Sequence, residues 1–330
     1  MIDSAHRLIV VTPVYEDVDA SSRLFKELAA QFGRDVFVVA VDDGSVDQPL
    51  EIASLAHAEV AGVILKLRRN VGHQRAIAIG LGYVAAHMQP EHRVVVMDSD
   101  GEDLPATIPL LLAPLESAQT DVVVAQRKSR VETLRFKVFY ALYKRLFGLM
   151  TGRSISFGNF MALKPAAVKR LVAMQELSIH VAGAVLASKL RTTACPLDRG
   201  PRYAGRSKMN FVGLVLHGFR ATMVFAEDVL VRVGIACLSV ACMAVLAMGV
   251  AIFLKLAGFA TPGWFSVALG ILLLMFLQTG ALTLLTLMLT GVARSTATML
   301  PRYGGFVERV ECRDGGISLE SRVDADGEMW

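Results

Sequence analysis

Four carboxylates fall between positions 98 and 103: Asp98, Asp100, Glu102 and Asp103. They follow Val94, Val95 and Val96, a β-branched run that reads as a strand covered on both faces. Open α/β sheets bind ligands just past the carboxyl ends of their strands. Carboxylates gathered there repel one another unless a cation holds them. Hard oxygen ligands favour Mg²⁺ or Mn²⁺ over zinc, and such an ion completes its shell with substrate phosphates. The chemistry suggested is a metal site for a phosphorylated ligand. A solvated acidic turn capping a helix after Pro105 would explain the same residues, and the upstream chain weighs between the two.

The elements that must position this cluster recur along the chain. Leu8 to Thr12 reads as a first strand, closed by Pro13 and followed by a helix with Leu24, Phe25 and Leu28 on one face. Val36 to Val41 reads as a second strand and empties into Asp42-Asp43-Gly44-Ser45. Val63 to Leu67 is a third, followed by Arg68-Arg69-Asn70-Val71-Gly72. Asp121 to Ala125 is a fifth, ending at Gln126-Arg127-Lys128. Strands alternating with helices predict a mostly parallel, doubly wound sheet. The polar residues after each strand then share one sheet edge.

The chain has 330 residues and a net charge of +4, too mild for a nucleic-acid footprint. Cys195, Cys237, Cys242 and Cys312 lack metal-ligand spacing and are expected as reduced thiols. The first residues have no signal-peptide layout. Apolar residues make up 54% and concentrate late in the sequence. Val233 to Leu254 and Gly258 to Ala293 carry no charge, and about 20 such residues cross a bilayer. Arg232 precedes this pair and Arg294, Arg302 and Arg309 follow it, which predicts both ends, and the catalytic domain, on the cytoplasmic side. Gly270, Gly280 and Ala281 would permit homo-oligomers through these helices.

Between sheet and spans lie three basic or amphipathic stretches. Leu134 to Met150 mixes Arg135, Lys137, Lys144 and Arg145 with aromatics, suited to a membrane surface or to packing on the sheet. Arg199, Arg202, Arg206 and Lys208 surround Gly205, as a phosphate grip or a lipid-attracted cluster would. Asn210 to Asp228 reads as an interfacial helix with a polar stripe of Asn210, Gly213, His217, Arg220 and Glu227, and His217 is expected on its wet face. Glu311 to Trp330 is polar and expected to be mobile. The resulting boundaries are 1–209, 210–228, 229–293 and 294–330.

Pro13-Val14-Tyr15, Val41-Asp42-Asp43-Gly44-Ser45, Asn70-x-Gly72, Asp98-Ser99-Asp100 and Gly205-Arg206-Ser207-Lys208 occur in this order. Together they resemble the inverting family-2 glycosyltransferases of GT-A fold, in the branch that glycosylates polyisoprenyl phosphates, the dolichol-phosphate mannose synthase type. The resemblance covers roughly residues 8–210, with membrane segments behind. It implies a nucleotide sugar, UDP- or GDP-linked, as donor and a polyisoprenyl phosphate as acceptor, undecaprenyl phosphate in a bacterial inner membrane. Pro13, Tyr15, Asp17, Asp42 and Asp43 would hold the nucleoside, and Asn70, Arg127 and Ser207 would complete the nucleotide site. Asp98, Asp100 and Glu102 would bind Mg²⁺ or Mn²⁺, with Arg127, Arg202 and Lys208 serving the transfer.

Two departures stand out. Tyr15-Glu16-Asp17 replaces the branch's usual Tyr-Asn-Glu, and Gly158-Asn159-Phe160-Met161 replaces an Asp-Phe-Arg-Leu-like segment. Asn159 cannot act as a general base, which leaves a catalytically silent membrane binding protein as an alternative. A processive polysaccharide synthase is the other, but neither Trp264 nor Trp330 ends that class's Gln-x-x-Arg-Trp motif.

Overall fold

The computed structural model describes residues 2–3, 5–127, 134–154, 157–203, 211–259, 263–296, 303–314 and 317–322. The chain divides into two compact units. The first comprises Met1–Tyr140, Ile155–Val224 and Leu300–Trp330, and the second Ala141–Ser154 and Phe225–Met299.

The first unit is built on a nine-stranded sheet. Its strands are β1 (Leu8–Val14), β2 (Val36–Asp42), β3 (Ala61–Leu67), β4 (Arg93–Val96), β5 (Val122–Arg127), β6 (Met161–Leu163), β7 (Thr192–Leu197), β8 (Val307–Asp314) and β9 (Ile317–Arg322). Their order is β7-β5-β6-β4-β1-β2-β3-β8-β9. β4, β1, β2 and β3 run parallel, as the alternating pattern predicts. β6 enters antiparallel between β4 and β5, so the sheet is mixed.

Its helices are α1 (Val18–Phe32), α2 (Ile52–His57), α3 (His73–His87), α4 (Ile108–Leu112), the first part of α5 (Leu134–Thr151), α6 (Pro165–Val172), α7 (Val181–Ala187) and α8 (Phe211–Met223). Every residue of β1 and β2 is buried, which is why these runs are β-branched instead of alternating. Alternate side chains feed two apolar layers. Val11, Val39 and Val41 join α3, α6 and α7. Val10, Val38 and Ala40 join α1, α2 and α4. α3 sits unusually close to the sheet: a Cβ at Gly80 would lie 2.6 Å from Val11 Cγ1.

The C-terminal segment departs from expectation. Part of the stretch read as a mobile tail forms β8 and β9, and β8 pairs antiparallel with β3. Glu311, the polar residue at which that tail was taken to begin, is buried against Lys66 Nζ at 2.9 Å. The charge that made the segment look solvated is thus matched by a partner on the neighbouring strand.

The second unit contains the rest of α5 and two long helices, α9 (Ala226–Leu256) and α10 (Trp264–Thr296). Glu227 and Asp228 lie in the first turn of α9, so the expected interfacial helix stops earlier, at Met223. Both long helices are long and apolar enough to cross a membrane. Leu246, Phe253 and Met288 are 71%, 68% and 74% exposed, so no protein core accounts for their apolar character.

Candidate functional site

The parallel strands bring their carboxyl ends together. Val14 of β1 is in register with Asp42 of β2, and Val11 with Val96 of β4. The loops after these strands therefore meet at one edge of the sheet, as ligand-binding loops do in open α/β folds.

After β2 the carboxylates shape the loop. Asp42 accepts from Ser45 N–H at 3.0 Å and from Leu50 N–H at 3.0 Å. Asp43 accepts from Val71 and Gly72 N–H at 2.7 and 2.9 Å, tying the β2 loop to the start of α3. Burial raises the Asp43 pKa, with these bonds and nearby His73 acting against it. Glu16, passed over as a site residue in the sequence, gathers three N–H groups, from Val46, Asp47 and Gln48. Ser99 Oγ donates to the Pro13 carbonyl at 3.2 Å, joining the loop after β4 to the end of β1. Tyr15 is 44% exposed at the end of β1, Asp17 precedes α1, and Asn70 is exposed beside the β2 loop.

After β4 the carboxylates meet arginines. Asp100 Oδ2 lies 2.7 Å from Arg202 Nη2, and Glu102 Oε1 lies 2.9 Å from Arg202 Nε. Arg199 pairs with the other Glu102 oxygen. Backbone bonds fasten the arginine loop down: Gly200 N–H donates to the Glu102 carbonyl and Tyr203 N–H to that of Asp100, both at 2.9 Å. Burial, then Asp98, pushes the Asp100 pKa up, while Arg202 and Arg199 oppose the rise. Among the described residues no three carboxylate, thiol or imidazole groups converge as a ready metal cage. The reason is visible in the pairs just named, because Asp100 and Glu102 are turned onto guanidinium groups. The donor set still suits a hard divalent ion: Asp98 lies close enough to Asp100 for its charge to raise the Asp100 pKa.

Asp98 faces a polar line of which the sequence had singled out only Asn159. Its Oδ1 is 3.2 Å from His73 Nε2, on the first residue of α3. Asn159 Nδ2 is 2.9 Å from the same nitrogen. Gln74 Nε2 donates to Asn159 Oδ1 at 3.2 Å, and Val181 N–H donates to Gln74 Oε1 at 2.7 Å. Burial disfavours a charged His73, but the ring is 44% exposed, and Asp98, Asp100 and Asp103 together hold its pKa above the usual value. The one signal in the sequence was its place directly after Gly72, whose φ of +90° turns the chain into α3.

A cavity lined by Asp98, Glu102, Gln126, Asn159 and Arg199 opens among these groups. The structure thus brings Asp98, Asp100, Glu102 and Arg202 together and seats Asn159 beside them. Arg127 ends β5, but its side chain lies outside the described residues, as do Ser207 and Lys208 entirely. His217 is not on a wet face. It is half-buried against His180, with ring centroids 4.5 Å apart and the ring planes tilted by 45°.

A central parallel sheet, one antiparallel insertion and an acidic edge after β4 define a mixed α/β GT-A glycosyltransferase fold. Residues 9–170 match Glycosyl transferase family 2, and the chain carries a domain of that family. It is 28% identical over 223 residues to the undecaprenyl-phosphate 4-deoxy-4-formamido-L-arabinose transferase of Enterobacter sp. (strain 638), covering 65% of this chain and 66% of that one. It is also 28% identical over 207 residues to the uncharacterized glycosyltransferase YkcC of Bacillus subtilis (strain 168), covering 60% and 62%. The chain thus spans a little under two thirds of these relatives' lengths. Among solved structures, glucosyl-3-phosphoglycerate synthase from Mycobacterium tuberculosis, in complex with Mn²⁺, UDP-glucose and phosphoglyceric acid, aligns with a TM-score of 0.51 at 15% identity. The alignment covers 68% of this chain and 80% of that one, a likeness of fold.

Proposed function

We propose that this protein transfers a sugar, with inversion, from a UDP- or GDP-sugar to a polyisoprenyl phosphate at the cytoplasmic face of a bacterial inner membrane. The observation that carries the reading is a family 2 domain with an acidic, arginine-bridged edge in one chain with two bilayer-length helices. The similarity to undecaprenyl-phosphate sugar transferases supports that acceptor.

Asp98 and Asp100, with Glu102, would hold Mg²⁺ or Mn²⁺. The ion would neutralise charge on the departing nucleoside diphosphate. Arg199 and Arg202 already lie against those carboxylates and are suited to gripping phosphate oxygens in a fork. No strong base is required of Asn159. A phosphate monoester has a second pKa of about 6 and is largely ionised at neutral pH, so it can attack the anomeric carbon directly.

The test uses the purified full chain in detergent with undecaprenyl phosphate and a panel of UDP- and GDP-sugars. Transfer should require Mg²⁺ or Mn²⁺, stop with EDTA, and fall by about 10²–10³-fold in Asp100→Ala, the scale of losing one electrostatic stabiliser. Full activity in EDTA or in the variant would count against the reading. Tight nucleotide binding without turnover on any lipid phosphate would favour a silent binding protein, consistent with Asn159.

A further inference from the structure

Helix α8 carries one imidazole, His217, and its surroundings give it a defined partner. His180 caps the start of α7, where its Nδ1 accepts from Gly183 N–H at 3.0 Å. That bond assigns the His180 proton to Nε2. Nε2 lies 3.1 Å from His217 Nε2, so His180 donates and His217 accepts. Apolar contact reinforces the pair. A Cβ at Gly183 would lie 3.0 Å from a Val224 methyl, and Ala221 is buried. The other side of α8 shows Leu216, Phe219 and Met223, 52%, 63% and 60% exposed.

The residue after His180 leads to the site. Val181 N–H is held by Gln74, Gln74 by Asn159, and Asn159 by His73 beside Asp98. His217 itself feels this cluster. Burial lowers its pKa first, His73 and Arg220 lower it further, and Asp98 opposes them. Burial, then His217, brings His180 down to about 3, so the pair is neutral at physiological pH and works as a hydrogen bond.

We propose that His217 is a positioning residue: its bond to His180 seats α8 against α7 and so fixes where the acceptor phosphate meets the Asp98–His73–Asn159 cluster. This rests on the transferase reading above.

The full chain in detergent tests it, with His217→Leu and His217→Gln compared by hydrogen exchange and steady-state kinetics. His217→Leu should speed exchange across 211–224 and raise KM for undecaprenyl phosphate about tenfold, the scale of one hydrogen bond lost. The donor KM should hold. His217→Gln supplies an oxygen that accepts from His180 and should restore the lipid KM to within about threefold. An unchanged lipid KM in His217→Leu would overturn the inference. So would donor and lipid KM rising together without rescue by glutamine, the mark of general misfolding. Absence of transfer by the unaltered chain to any polyisoprenyl phosphate would instead remove the transferase reading, and the inference with it.

Discussion

Arg202 sets its Nη2 2.7 Å from Oδ2 of Asp100. The same guanidinium reaches Glu102 through Nε, and Arg199 takes the other Glu102 oxygen. The acidic edge is therefore neutralised by cations of the chain itself, on a loop that two backbone bonds hold in place. A divalent ion held at Asp100, as proposed, would compete with Arg202 for the same oxygen.

Arg202→Ala tests that competition. Without metal the variant should lose about 1–3 kcal/mol, because Asp100 keeps its burial and loses its partner. Mn²⁺ alone should then raise its Tm more than it raises that of the unaltered protein. Thermal unfolding with and without Mn²⁺ measures both effects. Equal stability and an equal response to metal would show that Arg202 is no counter-ion.

Asn159 makes a kinetic prediction. Its amide is spent on Gln74 and His73, and it cannot take up a proton. The rate should follow ionisation of the acceptor, with kcat/KM for the lipid phosphate rising through about pH 6 and then levelling. Asn159→Asp should leave that limb in place, while placing an acceptor where His73 now meets an N–H. A limb near pH 4 in the unaltered enzyme would reveal a carboxylate base instead.

Much of this site was legible in the sequence, and the reason is local. Val94–Val96 followed by Asp98 and Asp100, or Val36–Val41 followed by Asp42 and Asp43, each place a strand and the acidic loop after it in one short segment. His73, Gln74 and His180 were not legible, since their roles exist only when α3, the loop before β6 and the start of α7 converge. Antiparallel β6 escaped because Met161–Leu163 is too short to announce a strand. β8 escaped because Glu308, Arg309 and Glu311 break its apolar alternation, and the answering Lys66 is remote in the sequence.

Gly44 shows how tightly the β2 loop is built. Its φ is +70°, and a Cβ there would lie 2.5 Å from the Arg69 carbonyl carbon and 2.6 Å from Asn70 N. Both contacts are backbone and cannot rotate away. Gly44→Ala should cost about 2–5 kcal/mol, combining left-handed strain with overpacking. It should also weaken nucleotide binding by parting the loop from residues 69–72. Chemical denaturation and UDP titration check the two effects separately.

Asp121 gives the fold a pH dependence of known sign. The paired guanidinium of Arg191, at 2.6 and 2.8 Å, is the main cause holding its carboxyl at about 2, against 3.8 without the fold. A depressed carboxylate pKa contributes stability above the unfolded value and loses it as pH falls through the folded one. The Tm gap between the unaltered protein and Asp121→Asn should therefore be open at pH 7 and close between about pH 4 and pH 2. The pair is solvent-exposed, so the gap should be small and should shrink with salt.

The last strands are the part of the fold most open to challenge by mutation. β8 covers the backbone edge of β3 from Gly62 to Leu67, and Glu311 is buried against Lys66. Burial alone would lower the Lys66 pKa, but Glu311 and then Glu51 keep it above the ordinary lysine value. A lysine pKa raised by folding contributes stability throughout the neutral range and loses it only as pH climbs past that value. Glu311→Ala leaves Lys66 facing the more exposed Glu51 at 3.3 Å and should cost about 1–3 kcal/mol. Glu311→Gln, which keeps an acceptor oxygen, should cost less. Ending the chain after Tyr303 removes the ion pair and also bares the N–H and C=O groups of β3, so it should destabilise the sheet further and promote aggregation through that edge. Unfolding midpoints should fall from Glu311→Gln to Glu311→Ala to the truncated chain. A truncated chain as stable as the full one would mean that β8 and β9 rest on a sheet complete without them.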